Sequence, residues 1–192
     1  MNQIELRPSK AKQRILTAAA KLFRERGFAR CTVRELADEV GILSGSLFHH
    51  FKSKDEILFA VMDEVITAMD RALAQAVDAA GTLEEKIRAL VRNELEFVHG
   101  PNAHATGVLV YEWSALSPEG QAMLLANRER YFARWQEVLE QAHARGLVSV
   151  SPTVLRQLIH GAIVWTAHWY DPDGPMSLDE LEQTVVALAI KA

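Results

Sequence analysis

From Lys10 onward the apolar residues recur at helical spacing. Ile15, Ala19, Leu22 and Phe23 fall three and four apart, and Ile57, Val61, Met62, Val65, Met69 and Leu73 repeat the pattern further on. Each set lines one face of a helix, and no sustained strand-type alternation accompanies them. Helix starts are marked chemically by a hydroxyl residue followed three positions later by glutamate, an arrangement that satisfies the orphan amides of a first turn. Thr32/Glu35, Ser53/Glu56, Thr82/Glu85 and Ser177/Glu180 fit it, while Ser117-Pro118 and Ser151-Pro152 add a hydroxyl cap followed by proline at the first helical position. Breaks fall at Gly27, Gly41, Gly81, Gly100-Pro101, Gly146 and the stretch DPDGP from Asp171 to Pro175. The pattern predicts an all-α chain of about nine helices, over 9–26, 33–39, 44–50, 54–79, 83–99, 103–115, 118–145, 152–169 and 178–190. No Pro/Gly/Ser linker divides it, so an N-terminal head at 1–69 is expected to share its long fourth helix with a body at 70–192.

Composition narrows the class. The chain has 192 residues, 49% hydrophobic and 24% charged, as in a folded globular protein, and no apolar run reaches the roughly 20 residues of a membrane span. Met1 to Lys12 is polar without a signal-peptide pattern, and the single cysteine, Cys31, cannot form an intrachain disulfide. A cytoplasmic location without membrane association is expected, with Cys31 a packed side chain rather than a redox switch. The net charge of −4 conceals a split: residues 1–54 carry 11 Lys/Arg against 5 acids, +6, and the remainder 10 against 20, −10. A basic head on an acidic body is the footprint of phosphate binding at one end.

Within that head, residues 32–51 read TVRELADEVGILSGSLFHHF. A short helix with Leu36, Ala37 and Val40 inward meets Gly41, where glycine allows a left-handed turn, and a second short helix follows, crossing near the small Ala37. This is a helix-turn-helix. With its flank, GILSGSLFHHFKSKDEIL, it resembles the TetR family signature G-[VI]-x-x-[GS]-[ST]-[LIF]-[YF]-x-[YH]-F-x-[SD]-K-[ED]-x-L over residues 10 to about 60. Two positions depart: Leu43 stands where a capping Ser or Thr is common, and Phe48 replaces the usual tyrosine, which removes a phosphate-bonding phenol.

The resemblance implies a ligand-responsive transcriptional regulator, a repressor in most of the family, that binds palindromic operator DNA as a dimer. The second short helix would lie in the major groove, with Ser44, Gly45 and Ser46 near bases and Leu47 near a thymine methyl, while Thr32, Arg34, His49, His50, Lys52 and Lys54 hold phosphates. Leu47, Phe48 and Phe51 are read first as packing, with the thymine methyl as a further contact for Leu47. The last two helices, 155–169 LRQLIHGAIVWTAHW and 181–190 LEQTVVALAI, are apolar around most of their circumference and are implied to form the homodimer interface. An effector cavity in the body would be lined by Met62, Met69, Leu90, Phe97, Val108, Trp113, Tyr131, Trp135, Trp165 and His168. The segment WTAHWYDPDGPMSLDEL, 165–181, is similar to the tail of family members that govern fatty-acid and steroid catabolism. It suggests an acyl-CoA thioester as effector, with Arg134 and Arg156 as partners for CoA phosphates. No cofactor is implied.

Other classes fit less well. An enzyme would need a nucleophile elbow, a phosphate-cradling glycine loop or a His-Glu-x-x-His pair, and none is present. Metal or aromatic-compound sensing is the alternative within the same class, since His99, His104, His143, His160 and His168 sit in the body and His104 and His160 could converge, but no Cys/His cluster has ligand spacing. A protein-binding helical module without DNA activity does not account for the +6 head.

Overall fold

The structure, a computed structural model, describes residues 9–190; Glu5 and Arg7, counted in the charge of the head, lie outside them. Among the described residues the helices are α1 Lys10–Arg26, α2 Val33–Val40, α3 Ser44–Leu47, α4 Lys54–Ala79, α5 Leu83–His99, α6 Ala103–Tyr111, α7 Pro118–Ala144, α8 Pro152–Thr166 and α9 Leu178–Ala189, with short 3-10 turns at Phe28–Arg30 and Trp113–Ala115.

The starts obey the chemistry read from the chain, with two exceptions. Thr32, Thr82 and Ser177 each accept the amide of the residue three on, and Glu35, Glu85 and Glu180 each return a carboxylate to the cap amide. At α4 the exchange is offset: Ser53 Oγ accepts from Glu56 N, but the Glu56 carboxylate takes Lys52 N, one residue earlier than expected. Ser151 makes no side-chain cap bond, and α8 begins on Pro152, whose fixed φ and missing N–H suffice. Ser9 caps α1 by accepting from Lys12 N.

Three ends fall short of their predicted limits by three residues or more. α3 stops at Leu47, α6 at Tyr111 and α8 at Thr166, each followed by tighter turns. At α8, Thr166 Oγ1 bonds back to Ile163 O at 2.5 Å and the amides of Ala167 to Trp169 reach carbonyls three residues back, so the last turn tightens.

The chain divides into two compact units. The first comprises Met1–Glu64 and His104–Ala122, so residues 104–122 join the N-terminal elements. Its core is Ile15, Leu16, Ala19, Leu22 and Phe23 of α1, Leu36, Ala37 and Val40 of α2, then Leu47, Phe51, Ile57, Leu58 and Val61. Phe23 and Phe28 meet edge-to-face at 5.1 Å. The second unit, Val65–Ala103 and Met123–Ala192, packs α5 against both α8 and α9 around Ile87, Leu90, Val91, Leu95, Ile159, Ile163, Leu181 and Val185. Charge supports the same seam: Arg88 bonds Glu182 at 3.2 Å, and Arg92 bonds Glu96, Glu182 and Asp179.

Gly41 ends α2 at φ 75, ψ 39, with Ile42 N closing onto Ala37 O at 2.9 Å. Gly41→Ala forces a Cβ into the left-handed region and should cost about 1 kcal/mol in chemical denaturation. The three capping carboxylates are held below their ordinary pKa, chiefly by backbone amide bonds, from Thr32 to Glu35, from Thr82 and Gly81 to Glu85, and from Ser177 to Glu180. Their contribution is full above the unfolded carboxyl value and is lost as pH falls through the lower folded values. The urea midpoint should therefore drop between pH 5 and 3, less steeply in the triple variant Thr32→Ala, Thr82→Ala, Ser177→Ala.

Candidate DNA interface and ligand core

α2 and α3 pack at the Gly41 turn, with Leu36, Ala37 and Leu47 sealed in the interior. That leaves one face of α3 and the loop after it outward. Gly45, His49, His50 and Lys52 are exposed, and Ser44 and Ser46 are half-buried with their hydroxyls near the helix start. Arg34 is exposed on the first turn of α2. Among the described residues Arg34, His49, His50 and Lys52 enter no ion pair, whereas Lys21 is paired with Glu39 at 2.8 Å and Arg26 with Glu35 at 3.0 Å. Arg34 and Lys52 are therefore exposed beside α3 without an ion-pair partner, next to His49 and His50.

Several sequence-predicted residues do something else. Leu47 is 0% exposed and packs in the core, so it cannot meet a thymine methyl. The apolar surface beside it belongs to Leu43, 80% exposed at the N-cap of α3, and Phe48, 52% exposed, which was read as packing. The missed signal was Leu43 itself, a large apolar residue where a cap is common. Thr32 is exposed, but its hydroxyl donates to Glu35 Oε2 at 2.8 Å and accepts from Glu35 N at 3.2 Å. Lys54 Nζ donates to Phe28 O and Cys31 O, both at 2.8 Å, and lies 4.2 Å from the Phe28 ring centroid. It clamps the first turn of α4 to the segment before α2. Cys31 is buried against Leu22 O, and burial pushes its thiol up, which fits packing rather than redox chemistry.

α6 approaches α1 closely. A Cβ on Gly107 would fall 2.4 Å from Arg24 Cδ, and the Arg24 guanidinium lies 4.6 Å from the Tyr111 ring centroid. Of the expected cavity residues, Met62, Val108 and the half-buried Trp113 belong to this first unit.

The second unit holds Met69, Leu90, Phe97, Tyr131 and Trp135, all buried. Trp165 and His168 are a correction: both are exposed, Trp165 at 63%, with ring centroids 4.6 Å apart, and they do not line the core. With Val154, Leu158 and Ala162 they continue an exposed apolar stripe along α8. Arg134 Nε is bonded to Asp70 at 2.9 Å, and Arg156 lies 4.6 Å from the Phe132 ring centroid.

Sequence reasoning missed the polar heart of this unit. Glu94 is 1% exposed and paired with His160 Nδ1; neighbouring Asn93 donates to Met69 O at 3.4 Å. Glu94 Oε2 is buried without a protein hydrogen-bond partner among the described residues, and the buried Tyr131 phenol lies beside Trp135 and Asn93. Burial, then the charge of Glu94, pushes the Tyr131 phenol well up, so it stays protonated. His99 bonds Thr166 Oγ1 at 2.6 Å, and burial lowers its pKa. Among the described residues no group of three or more His, Cys, Asp or Glu is placed to hold a metal ion, and no helix is long and apolar enough to cross a membrane.

A basic helix-turn-helix unit followed by a helical unit with a polar, aromatic interior defines a transcriptional regulator rather than an enzyme. Residues 15–61 match the model of the bacterial regulatory proteins, tetR family, and residues 80–192 that of the tetracyclin repressor-like C-terminal domain. The chain belongs to the TetR family. It is 30% identical to the HTH-type transcriptional repressor KstR2 of Mycolicibacterium smegmatis, over 95% of this chain and 90% of the relative. Two crystal structures share its fold: superantigen PfiT, 44% identical over 97% of this chain and 99% of that one, TM-score 0.82, and AibR in complex with isovaleryl coenzyme A and operator DNA, 25% identical over 94% and 98%, TM-score 0.85.

Lys54→Met keeps the stem of the side chain but removes both carbonyl bonds and the cation–π contact. It should lower the stability of the chain by about 2 kcal/mol, read as a drop in denaturant midpoint at unchanged slope.

Proposed function

We propose that this protein is a cytoplasmic repressor that occupies a palindromic operator as a homodimer and releases it on binding a small apolar effector, an acyl-CoA thioester first among them. The observation that carries the DNA reading is the grouping of the unpaired Arg34, His49, His50 and Lys52 beside the outward face of α3. In this reading the DNA-binding domain is 1–69 and the effector and dimerisation domain 70–192. Ser44, Gly45 and Ser46 approach bases, Leu43 takes the thymine-methyl role first assigned to Leu47, and the four unpaired side chains hold phosphates. Thr32 and Lys54 position these contacts by fixing α2 and α4.

Exposed apolar residues support dimerisation through the last two helices. Val154, Leu158, Ala162 and Trp165 recur along α8, and Leu188 of α9 is 75% exposed, a stripe that burial against a second copy would cover. For the effector, the AibR complex with isovaleryl coenzyme A supports a thioester. Arg134 is already engaged by Asp70, so Arg156, over Phe132 with Arg128 at 5.7 Å, is the better partner for a CoA phosphate.

Fluorescence anisotropy with promoter DNA flanking the protein's own gene tests the reading, and absence of binding at low salt refutes it. Arg34→Ala and Lys52→Ala should each reduce the slope of log affinity against log salt by about 1. Leu43→Ala should weaken the operator about tenfold with little change in that slope. Release of operator by acyl-CoA thioesters, and not by free CoA, checks the effector; failure of every thioester refutes that part alone.

A further inference from the structure

Between residues 9 and 64 two large apolar side chains are exposed, Leu43 at 80% and Phe48 at 52%. They stand at the N-cap and the C-cap of α3, on either side of Ser44, Gly45 and Ser46. Their own unit leaves both uncovered, although Leu47 between them and Phe51 after them are sealed in the core. A one-turn helix thus carries a large apolar group in water at each end, in a segment that otherwise buries such groups. Arg34, His49, His50 and Lys52 are exposed around this surface and enter no ion pair among the described residues. That charge suits the major groove of DNA as the occupant.

The same surface lacks the side chains that read bases by paired hydrogen bonds. From Gly41 to Phe51 there is no arginine, lysine, asparagine or glutamine, the residues that match guanine and adenine edges, and serine bonds without strong preference. What remains to discriminate is the C5-methyl of thymine, the apolar feature of the groove. Leu43 and Phe48 are five residues apart, a helical rise of roughly 7 Å, or about two base-pair steps, so both fit within one half-site. We propose that Leu43 and Phe48 read the operator through the C5-methyl groups of two pyrimidines in each half-site, with Phe48 a base-reading side chain in its own right. The proposal rests on the DNA reading above and names what that reading selects: thymine, and by the same chemistry 5-methylcytosine, over cytosine and uracil.

Fluorescence anisotropy of the full chain with the promoter duplex tests it, each thymine of one half-site being replaced in turn by deoxyuridine, which removes the methyl and keeps the base pair. At two positions the replacement should weaken binding about fourfold, the worth of one buried methyl group, with the salt dependence unchanged. Leu43→Ala should erase the effect at one position and Phe48→Ala at the other. At both, 5-methylcytosine paired with guanine should bind more tightly than cytosine paired with guanine. Both side chains are exposed, so neither variant threatens folding, and the base replacements need no variant at all. A duplex that binds with no position sensitive to deoxyuridine overturns the proposal and leaves the DNA reading intact. An effect that survives both variants does the same, and one lost only in Leu43→Ala overturns the role given to Phe48. Absence of binding at low salt overturns the proposal together with the DNA reading.

Discussion

The continuity of α4 is the constraint on which both units depend. Lys54–Ala79 contains neither glycine nor proline, so the helix has no residue that would break it, and each unit includes one segment of it. Its first turn is fixed by Lys54, whose ammonium gathers the carbonyls of Phe28 and Cys31, while Ile57, Leu58 and Val61 fill the core behind α3. Further along, Met69 O receives Asn93 and Asp70 holds Arg134. Lys54 in the first unit and Met69 and Asp70 in the second are thus residues of the same helix.

α6 follows α5 of the second unit in the chain, but its residues from His104 group with the N-terminal elements. At Gly107 the backbone of α6 comes so close to Arg24 of α1 that a side chain would displace the guanidinium stem. Arg24 then stacks on Tyr111, one turn further along α6. α1 in turn packs on α2.

Much of this was legible in the chain. Helix starts were readable because a capping box is local: Thr32, Thr82 and Ser177 need only the glutamate three residues on. The helix-turn-helix was readable for the same reason, since Gly41 and the inward Leu36, Ala37 and Val40 lie within ten residues. Helix ends were less so, because α8 stops where the Thr166 hydroxyl turns back on Ile163 and nothing in HGAIVWTAHW announces it. Orientation was hardest on the shortest helix. α3 has only one turn, and its register, which buries Leu47 and exposes Leu43 and Phe48, is set by packing against α2 rather than by periodicity. Trp165 went astray for a related reason: an aromatic on an apolar helix reads as core, and only the neighbours of α8 show which of its faces is covered.

Glu94, Asn93 and His160 were invisible as a set because α5 and α8 are 66 residues apart at the pair and each residue alone resembles an ordinary helix-surface polar side chain. Their burial changes the energetics. A buried polar group left without a partner costs roughly 1–3 kcal/mol, and domains of this size are stable by only about 5–15 kcal/mol, so the pairing of buried Glu94 with His160 bears on a large fraction of the margin.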